Sequence, residues 1–294
     1  MTIKIKSILV LIVILTSAKV VFPQIPSPQN IILHGKVVDT ENNLPLPYVS
    51  VGVLNKSQGT VSDTVGQFSF PITTENISDS LQFSIIGYHS LRVAVKDFIN
   101  NSDKSIKLTA NVTQLREVLV TSSSSRKNTV AIGRQSSGKL TQVSIHNKTS
   151  ADETVGSEMG MRYKIDKDNA ILKDFNLYIS ANNFNSIKFR VNIYSIKNDL
   201  PDTLINKKQI FTTLDDFKTG WVKIALEEYH LTVRNDIIIT VQWVESRMDK
   251  KEKPVTIVPV EVTPFSKFCY ARIASQDKWK RMGMRLSSYV TIAY

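Results

Sequence analysis

The segment from Gly35 to Tyr88 alternates apolar and polar residues in short runs. In the run Tyr48–Leu54, for example, every second residue from position 49 is valine. Turn-forming residues, such as those at Asn42-Asn43, separate the runs. Side chains of a strand point alternately to two faces, so this pattern places one face in a core and the other in water. The segment is therefore predicted to form antiparallel sheets, and a register slip of one residue would turn its apolar rows to solvent.

Seven short strands are predicted in the first 120 residues, which suits a Greek-key β-sandwich. They are Ile31–Val38, Tyr48–Leu54, Gly59–Ser62, Gly66–Pro71, Leu81–Ile86, Tyr88–Val95 and Ser105–Leu108.

Four patterns in this region carry a family resemblance. They are G-x-V-x-D from Gly35, P-L-P-x-x-S-V from Pro45, G-T-x-S-D-x-x-G-x-F from Gly59, and L-x-F-S-x-I-G-Y from Leu81. Together they resemble the carboxypeptidase-regulatory-like domain of Bacteroidetes envelope proteins, which is found at the N-terminus of TonB-dependent outer-membrane receptors. The resemblance implies a transthyretin-like sandwich over residues 30–120. It also implies a structural motif made of Gly35, Asp39, Pro45, Asp63, Gly66, Phe68, Gly87 and Tyr88.

Residues 1–22 are predicted to be a secretory signal peptide. Lys4 and Lys6 give a positive start, Ile8–Leu15 is wholly apolar, and Thr16-Ser17-Ala18 offers small residues for cleavage. The alternative is an uncleaved N-terminal anchor. No later segment reaches the roughly 20 apolar residues of a spanning helix, so we expect no transmembrane segment after cleavage. The mature chain is expected to be exported, to the periplasm or to the outer membrane.

A linker is predicted at residues 121–139, which begin with a run of serines. Residues 140–294 are predicted to form a second β-sandwich, jelly-roll-like, with eight or nine strands. Its run Phe189–Ser195 resembles the C-terminal region of Bacteroidetes proteins that carry the same N-terminal module. The predicted strands are Met159–Ile165, Ile171–Ser180, Ile187–Ile196, Gln209–Leu214, Trp221–Leu226, Ile237–Glu245, Val255–Val262, Phe268–Ala274 and Met282–Tyr294.

A short repeat marks the two ends of this second region. Met-Gly-Met-Arg occurs at 159–162 and again at 282–285. If the two strands lay side by side, their glycines would allow a close approach of backbones. Chance repetition of four residues is the alternative.

Positive charge is concentrated in the second half of the chain. Residues 126–294 hold 27 Lys and Arg against 18 Asp and Glu, a balance of +9 out of the net +11 of the whole sequence. Such a surface attracts anionic partners at long range. The alternative is a solvated, mildly basic surface. We expect an envelope protein or a glycan as partner, and no nucleic acid.

The sequence shows no catalytic constellation. No G-x-S-x-G motif is present. Gly133–Lys139 has the spacing of a phosphate-binding loop, but Leu140 stands where Ser or Thr would bind magnesium, so it is interpreted as linker. The resemblance covers only an accessory module of carboxypeptidases, so no catalytic residue carries over. We therefore predict a protein that is not an enzyme and holds no cofactor.

Metal ligands are not expected either. Zinc enzymes need closely spaced ligands, and the histidines are isolated in the sequence. Acidic residues in the turns of the first domain could in principle bind calcium, but Asp in turns ordinarily bonds its own backbone. The residues concerned are His34, His89, His146 and His230 for zinc, and Asp39, Glu41, Asp63 and Asp79 for calcium.

The candidate ligand patch is Trp279, Lys280 and Arg281, in a basic, loop-like setting. A sugar ring would stack on the tryptophan and an acidic group would meet the cations. The alternative is a rim tryptophan half covered by its neighbours. Trp243 shares the parity of an apolar strand and is predicted to lie in the core, as is the lone Cys269.

Two functions remain open at this point. The first is a non-enzymatic envelope protein that serves interaction or assembly in the periplasm or at the outer membrane. The second is a carbohydrate-binding protein that recognises acidic glycans through its basic C-terminal domain.

Overall fold

A computed structural model describes residues 30–111, 128–138, 141–144, 155–249, 253–262 and 267–294. The described chain has 23 strands and one short α-helix, so the predicted all-β fold is confirmed. The two large hydrophobic clusters within these residues are separate, one between 31 and 108 and one between 132 and 292. The predicted signal peptide, residues 1–22, lies outside the described residues.

The first sandwich has seven strands, as predicted. One sheet has the order β4-β1-β7, in which β1 and β7 are parallel, and the other has the order β3-β2-β5-β6. The strands are β1 (Asn30–Asp39), β2 (Ser50–Val53), β3 (Gly59–Val61), β4 (Gln67–Thr73), β5 (Ser80–Ser84), β6 (Leu91–Ala94) and β7 (Ser105–Leu108).

The predicted strand Tyr88–Val95 was wrong at both ends. Strand β6 begins only at Leu91, and helix α1 (Val95–Asn100) follows it directly. Val95 and Phe98, which are three residues apart, are both buried. One helical turn thus covers the core, and it is too short to show a helical period in the sequence.

Phenylalanines fill the centre of the first core. Phe68 lies 5.7 Å from Phe83 and 6.0 Å from Phe98 between ring centroids. Burying each such side chain contributes about 1.5–3 kcal/mol. Gly35 makes room for this cluster, because a Cβ on it would lie 2.8 Å from Cζ of Phe68.

The second sandwich is built from 16 strands among the described residues, more than the eight or nine predicted. The extra strands are mostly two to five residues long, and so short a run shows too few alternations to be recognised. The predicted strand Met282–Tyr294 is split among three sheets. The strands are β8 (Thr129–Gly133), β9 (Thr141–Ser144), β10 (Glu158–Tyr163), β11 (Ala170–Ile179), β12 (Ala181–Asn182), β13 (Ser186–Lys197), β14 (Leu200–Leu204), β15 (Ile210–Asp215), β16 (Gly220–Ala225), β17 (Thr232–Val233), β18 (Ile237–Arg247), β19 (Thr256–Val262), β20 (Cys269–Arg272), β21 (Lys280–Met282), β22 (Met284–Leu286) and β23 (Ser288–Ala293).

Three sheets enclose the second core. Their strand orders are β14-β13-β18-β10-β20-β21, β16-β11-β23-β8 and β12-β19-β22. In addition, β15 pairs with β13, β17 with β11, and β9 with β19. Trp243 is 1% exposed and packs edge-on against Phe184 and Phe189, with ring centroids 5.0 and 5.2 Å away. Cys269 is fully buried, so the core assignments of both residues are confirmed.

Part of the predicted linker 121–139 is a strand of this second sandwich. Strand β8 pairs antiparallel with β23, from Thr129 opposite Ala293 to Gly133 opposite Tyr289. The backbone N–H of Arg134 then donates to the Ser288 carbonyl oxygen over 2.8 Å. The strand is only five residues long and follows a serine-rich run, so composition favoured a linker there.

The two sandwiches touch through a buried polar seam, which we define by Tyr48 and Ser50 of the first and Arg190, Gln242 and Gln276 of the second. Arg190 is 4% exposed. Its Nη2 donates to Oγ of Ser50 over 2.7 Å, and its Nε donates to Oε1 of Gln242 over 3.2 Å. Burial lowers the pKa of Arg190 to about 10, so the guanidinium still carries its charge at neutral pH.

Backbones approach closely across the same seam. An added Cβ would lie 2.2 Å from the Ser275 carbonyl oxygen if built on Gly52, and 2.5 Å if built on Gly59. The side-chain amide of Gln276 donates to Oγ of Ser84 over 2.7 Å, and the main-chain carbonyl of Gln276 accepts from the backbone N–H of Asn55 over 2.8 Å. The four-stranded sheet of the first sandwich therefore contacts the second sandwich directly through main-chain atoms.

Candidate ligand-binding cavity

The predicted patch does not form one exposed surface. Trp279 is half-buried, with the guanidinium of Arg272 at 4.7 Å over its ring and Tyr194 edge-on at 5.7 Å. Arg281 forms an ion pair with Asp199. Lys280 is exposed, and strand alternation directs it away from its two neighbours. This geometry of Trp279 matches the alternative interpretation, a rim tryptophan half covered by its neighbours.

A buried ion pair holds Arg272 in place beneath this tryptophan. Glu158 is 2% exposed, and its Oε2 accepts from Nη2 of Arg272 over 2.5 Å and from Nε over 2.9 Å. Its Oε1 accepts from Asn192 over 2.8 Å and from Tyr194 over 3.1 Å. Burial by itself raises the pKa of Glu158, but the charge of Arg272 and the hydrogen bonds outweigh it, so the pKa lies below 4.5. This carboxylate is saturated with partners and is structural.

A cavity of about 370 Å³ lies beside this cluster in the second sandwich. Five cationic side chains and two carboxylates line it. They lie in β10, in β22 and in the connecting loops. The charged lining is Arg134, Arg162, Lys164, Lys267 and Arg285, with Asp199 and Asp236.

Arg162 is neutralised inside this cavity. Its Nε and Nη2 donate to Oδ2 of Asp236 over 3.0 and 2.7 Å, and its Nη1 donates to Oδ1 of Asp199 over 2.9 Å. Asp199 also pairs with Arg281, so it stands between two guanidinium groups. A second depression of about 840 Å³ shares Arg162 and Asp236 with the cavity. The Arg162–Asp236 pair therefore belongs to the walls of both.

Arg134 and Arg285 are differently placed. Arg134 is half-buried, and its Nη1 donates to Oγ of Ser287 over 2.7 Å. Among the described residues, its guanidinium contacts no carboxylate. Arg285 is 31% exposed in its side chain, and its Nη1 lies 3.9 Å from Oε2 of Glu261. At that distance and exposure an ion pair contributes little.

Hydroxyl groups and rings complete the wall. Tyr163 is 2% exposed, and its hydroxyl lies 2.7 Å from Oγ of Ser288. Burial raises the pKa of both Tyr163 and Tyr270, so both phenols stay neutral at physiological pH. Phe268 adds a third ring to the lining. The cavity thus offers cations, hydroxyl groups and aromatic faces together, the combination that binds an acidic, hydroxylated ligand.

Sequence reasoning missed the cavity, although one signal for it was present. The repeated Met-Gly-Met-Arg places its two arginines, Arg162 and Arg285, in this lining. The two strands do not pair in one sheet, because β10 pairs with β18 and β20 while β22 pairs with β19. They do touch between sheets, where the backbone N–H of Leu286 donates to Sδ of Met161 over 3.5 Å. Gly160 does permit a close approach, but to β18, where its added Cβ would meet the Ile239 carbonyl. The two copies of the repeat therefore share the cavity lining through their arginines.

The motif implied by the resemblance stabilises the first sandwich. The Tyr88 hydroxyl donates to Oδ2 of Asp39 over 2.8 Å, and the backbone N–H of Glu41 donates to Oδ1 over 2.7 Å. The Glu41 N–H first, and then the Tyr88 hydroxyl, lower the pKa of Asp39. Asp63 accepts from the backbone N–H of Gln67 over 2.7 Å.

The remaining motif residues determine the local backbone conformation. Gly66 and Gly87 adopt φ of +77° and +91°, which glycine alone adopts freely. Pro45 forms a bridge with Val38. These positions explain the motif without a ligand.

No group of three or more His, Cys, Asp or Glu residues in the described ranges is placed to hold a metal ion. His34, His89 and His230 are exposed on separate elements, and His146 lies outside the described residues. No helix in the described part of the chain has the length and apolar character that spanning a membrane requires.

The family model of the CarboxypepD_reg-like domain matches residues 33–120. No curated protein sequence matches the chain.

Two solved structures share a distant likeness with the chain. One is that of the cysteine protease and lectin-like domains of Cwp84, a surface layer associated protein of Clostridium difficile, at 8% identity and a TM-score of 0.40, covering 91% of this chain and 64% of that one. The other is a singly substituted form of the Clostridial cysteine protease Cwp84 after propeptide cleavage, at 8% identity and a TM-score of 0.41, covering 92% and 73%. This chain thus spans less than two thirds of the first of these proteins.

Proposed function

Because the family model of the CarboxypepD_reg-like domain matches residues 33–120, we propose that this chain is a non-enzymatic, exported protein of the cell envelope. It serves as an interaction or assembly module in the periplasm or at the outer membrane, with an envelope protein or a glycan as partner. The matching family is a regulatory, non-catalytic β-sandwich, which fits a binding role.

The polar seam between the two sandwiches is the observation that carries this proposal. The first sandwich uses the sheet that contains Gly52 and Gly59 to hold the second, with main-chain atoms in close contact. Because this sheet is packed against the second sandwich, the first sandwich acts as a scaffold for it. Recognition then falls to the second sandwich, which carries most of the positive charge.

Affinity capture from native envelopes tests this assignment with two matched baits. One full-length bait carries charge reversals at Lys207, Lys208 and Lys278, which are exposed on the second sandwich, and the other carries them at Lys56, Lys96 and Lys107, exposed on the first. The first bait is expected to lose the partners of the wild type, and the second to keep them. Recovery of the same partners by both baits would show that recognition does not depend on the basic half.

Recognition of acidic glycans is the second candidate function. The cavity favours it, because Arg134 and Arg285 line it together with hydroxyl groups and aromatic rings. A glycan array that pairs each acidic glycan with its neutral counterpart tests it. Binding restricted to acidic glycans and weakened by salt is expected. An array with no acidic glycan bound would leave only the first function.

A further inference from the structure

We propose that the cavity between Arg134 and Arg285 binds the carboxylate of an acidic sugar residue. This inference rests on the second candidate function and specifies its site and its ligand. The predicted patch at Trp279 then lies outside the binding site.

The distribution of charge inside the cavity selects these two arginines. Arg162 already has a full set of acceptors in Asp199 and Asp236. Arg134 has only the hydroxyl of Ser287 among the described residues, and Arg285 has a carboxylate no closer than 3.9 Å. Both are half-buried, so their cations are partly desolvated and gain most from an anion that enters the cavity.

The two arginines are fixed by different elements that meet at the cavity. Arg134 follows strand β8, and its backbone N–H is bonded to the Ser288 carbonyl of β23. Ser287 accepts from Arg134 and donates to the Ser136 carbonyl over 2.8 Å, which steadies the guanidinium. Arg285 sits in β22, directly opposite Glu261 of β19. A site held by paired strands is preorganised and loses less entropy when it binds.

The remaining lining suits a sugar better than a simple anion. A guanidinium fork matches the two oxygens of a carboxylate. The Tyr163–Ser288 hydroxyl pair and the Tyr270 phenol offer hydrogen-bond partners for ring hydroxyls. Phe268 adds an apolar ring to the lining, with the guanidinium of Arg281 4.6 Å from its centroid over one face. The volume of about 370 Å³ is at the small end of ligand sites, which indicates one or two sugar rings rather than a long chain.

Isothermal titration of the full-length protein with galacturonic acid, galactose and inorganic phosphate tests the proposal. Galacturonic acid is expected to bind, and galactose to bind at least about tenfold more weakly because it lacks the carboxylate. Arg134→Gln and Arg285→Gln are each expected to weaken galacturonic acid by about tenfold, and Arg134→Lys by less. Lys280→Gln, on exposed β21, is the control and is expected to leave the affinity within about twofold.

Two results would overturn the proposal. Phosphate binding more tightly than galacturonic acid would rule out a carboxylate sugar as the ligand. Unchanged affinity in folded Arg134→Gln and Arg285→Gln proteins, verified by circular dichroism and thermal melting, would rule out this cavity. In that case an acidic glycan that still binds on the array keeps the second candidate function, whereas an array with no acidic binder removes that function as well.

Discussion

Nη1 of Arg190 in the second sandwich donates to the main-chain carbonyl oxygen of Tyr48 in the first over 2.7 Å. Tyr48 has φ of +59°, a left-handed conformation that a bulky side chain rarely adopts. Its hydroxyl donates to Oε2 of Glu245 over 2.6 Å, and its ring lies 5.2 Å from that of Phe211. Contacts from the second sandwich thus hold a strained residue of the first, which ties the conformation of one domain to the other.

Replacing Arg190 tests how strongly the seam contributes to stability. Arg190→Ala leaves the Tyr48 carbonyl, Ser50 and Gln242 without their buried donor. We expect the free energy of unfolding to fall by about 3 kcal/mol, measured by urea denaturation. Arg247→Ala removes a side chain that is 68% exposed and is expected to change it by less than about 0.5 kcal/mol. Equal effects of the two substitutions would show that the seam adds nothing to stability.

A single methyl group at Gly52 should separate the two sandwiches. The Cβ of Gly52→Ala would lie 2.2 Å from the Ser275 carbonyl oxygen, so one of the two backbones would have to shift. We expect a loss of about 2 kcal/mol or more and two unfolding transitions in place of one. Gly138→Ala, whose nearest neighbour is the flexible guanidinium of Arg134 at 3.2 Å, is the control. A single wild-type transition in Gly52→Ala would contradict the close fit.

The ion pair of Glu158 and Arg272 should make the free energy of unfolding depend on pH. The pKa of Glu158 is lowered below 4.5 in the folded protein, so the carboxylate contributes stability above that pH and loses it as pH falls through the folded pKa. Glu158→Gln leaves Arg272 buried without its anion and is expected to destabilise by about 3 kcal/mol at pH 7. The difference from the wild type should shrink below pH 4.5. Urea denaturation between neutral and acid pH measures it, with Asp249→Asn, 59% exposed in its side chain, as the control.

The sequence predicted those parts of the fold that depend on local pattern. Period-two hydrophobicity gave the seven strands of the first sandwich and the buried position of Trp243, because each strand buries its own row of side chains. Strands β12 and β17 have two residues each and exist only because a neighbouring strand offers hydrogen bonds. Such elements depend on tertiary contacts that no local window contains.

The cavity and the seam could not be predicted for a related reason. Arg134 and Arg285 are 151 positions apart, and β8 brings them together by pairing with the last strand of the chain. The candidate patch was chosen because Trp279 is next to two cations in sequence. In the fold, Arg272 covers the face of that ring, and it is itself held by Glu158, 114 positions away. In both places the decisive neighbours are distant in sequence, so a local window does not contain them.

The lone cysteine gives a chemical probe of the second core. Cys269 is fully buried in β20, and burial raises the pKa of its thiol to about 12. At pH 8 only about one thiol in 10,000 would then be a thiolate, against about a quarter for a free cysteine, and the thiolate is the reactive form. Alkylation by iodoacetamide in native buffer should therefore require opening of the second sandwich. We expect its rate to rise in Glu158→Gln in proportion to the fraction of open molecules, which grows about tenfold for each 1.4 kcal/mol of lost stability. Mass spectrometry follows the reaction, and labelling at the rate of a free cysteine in the folded wild type would show that β20 is open to solvent.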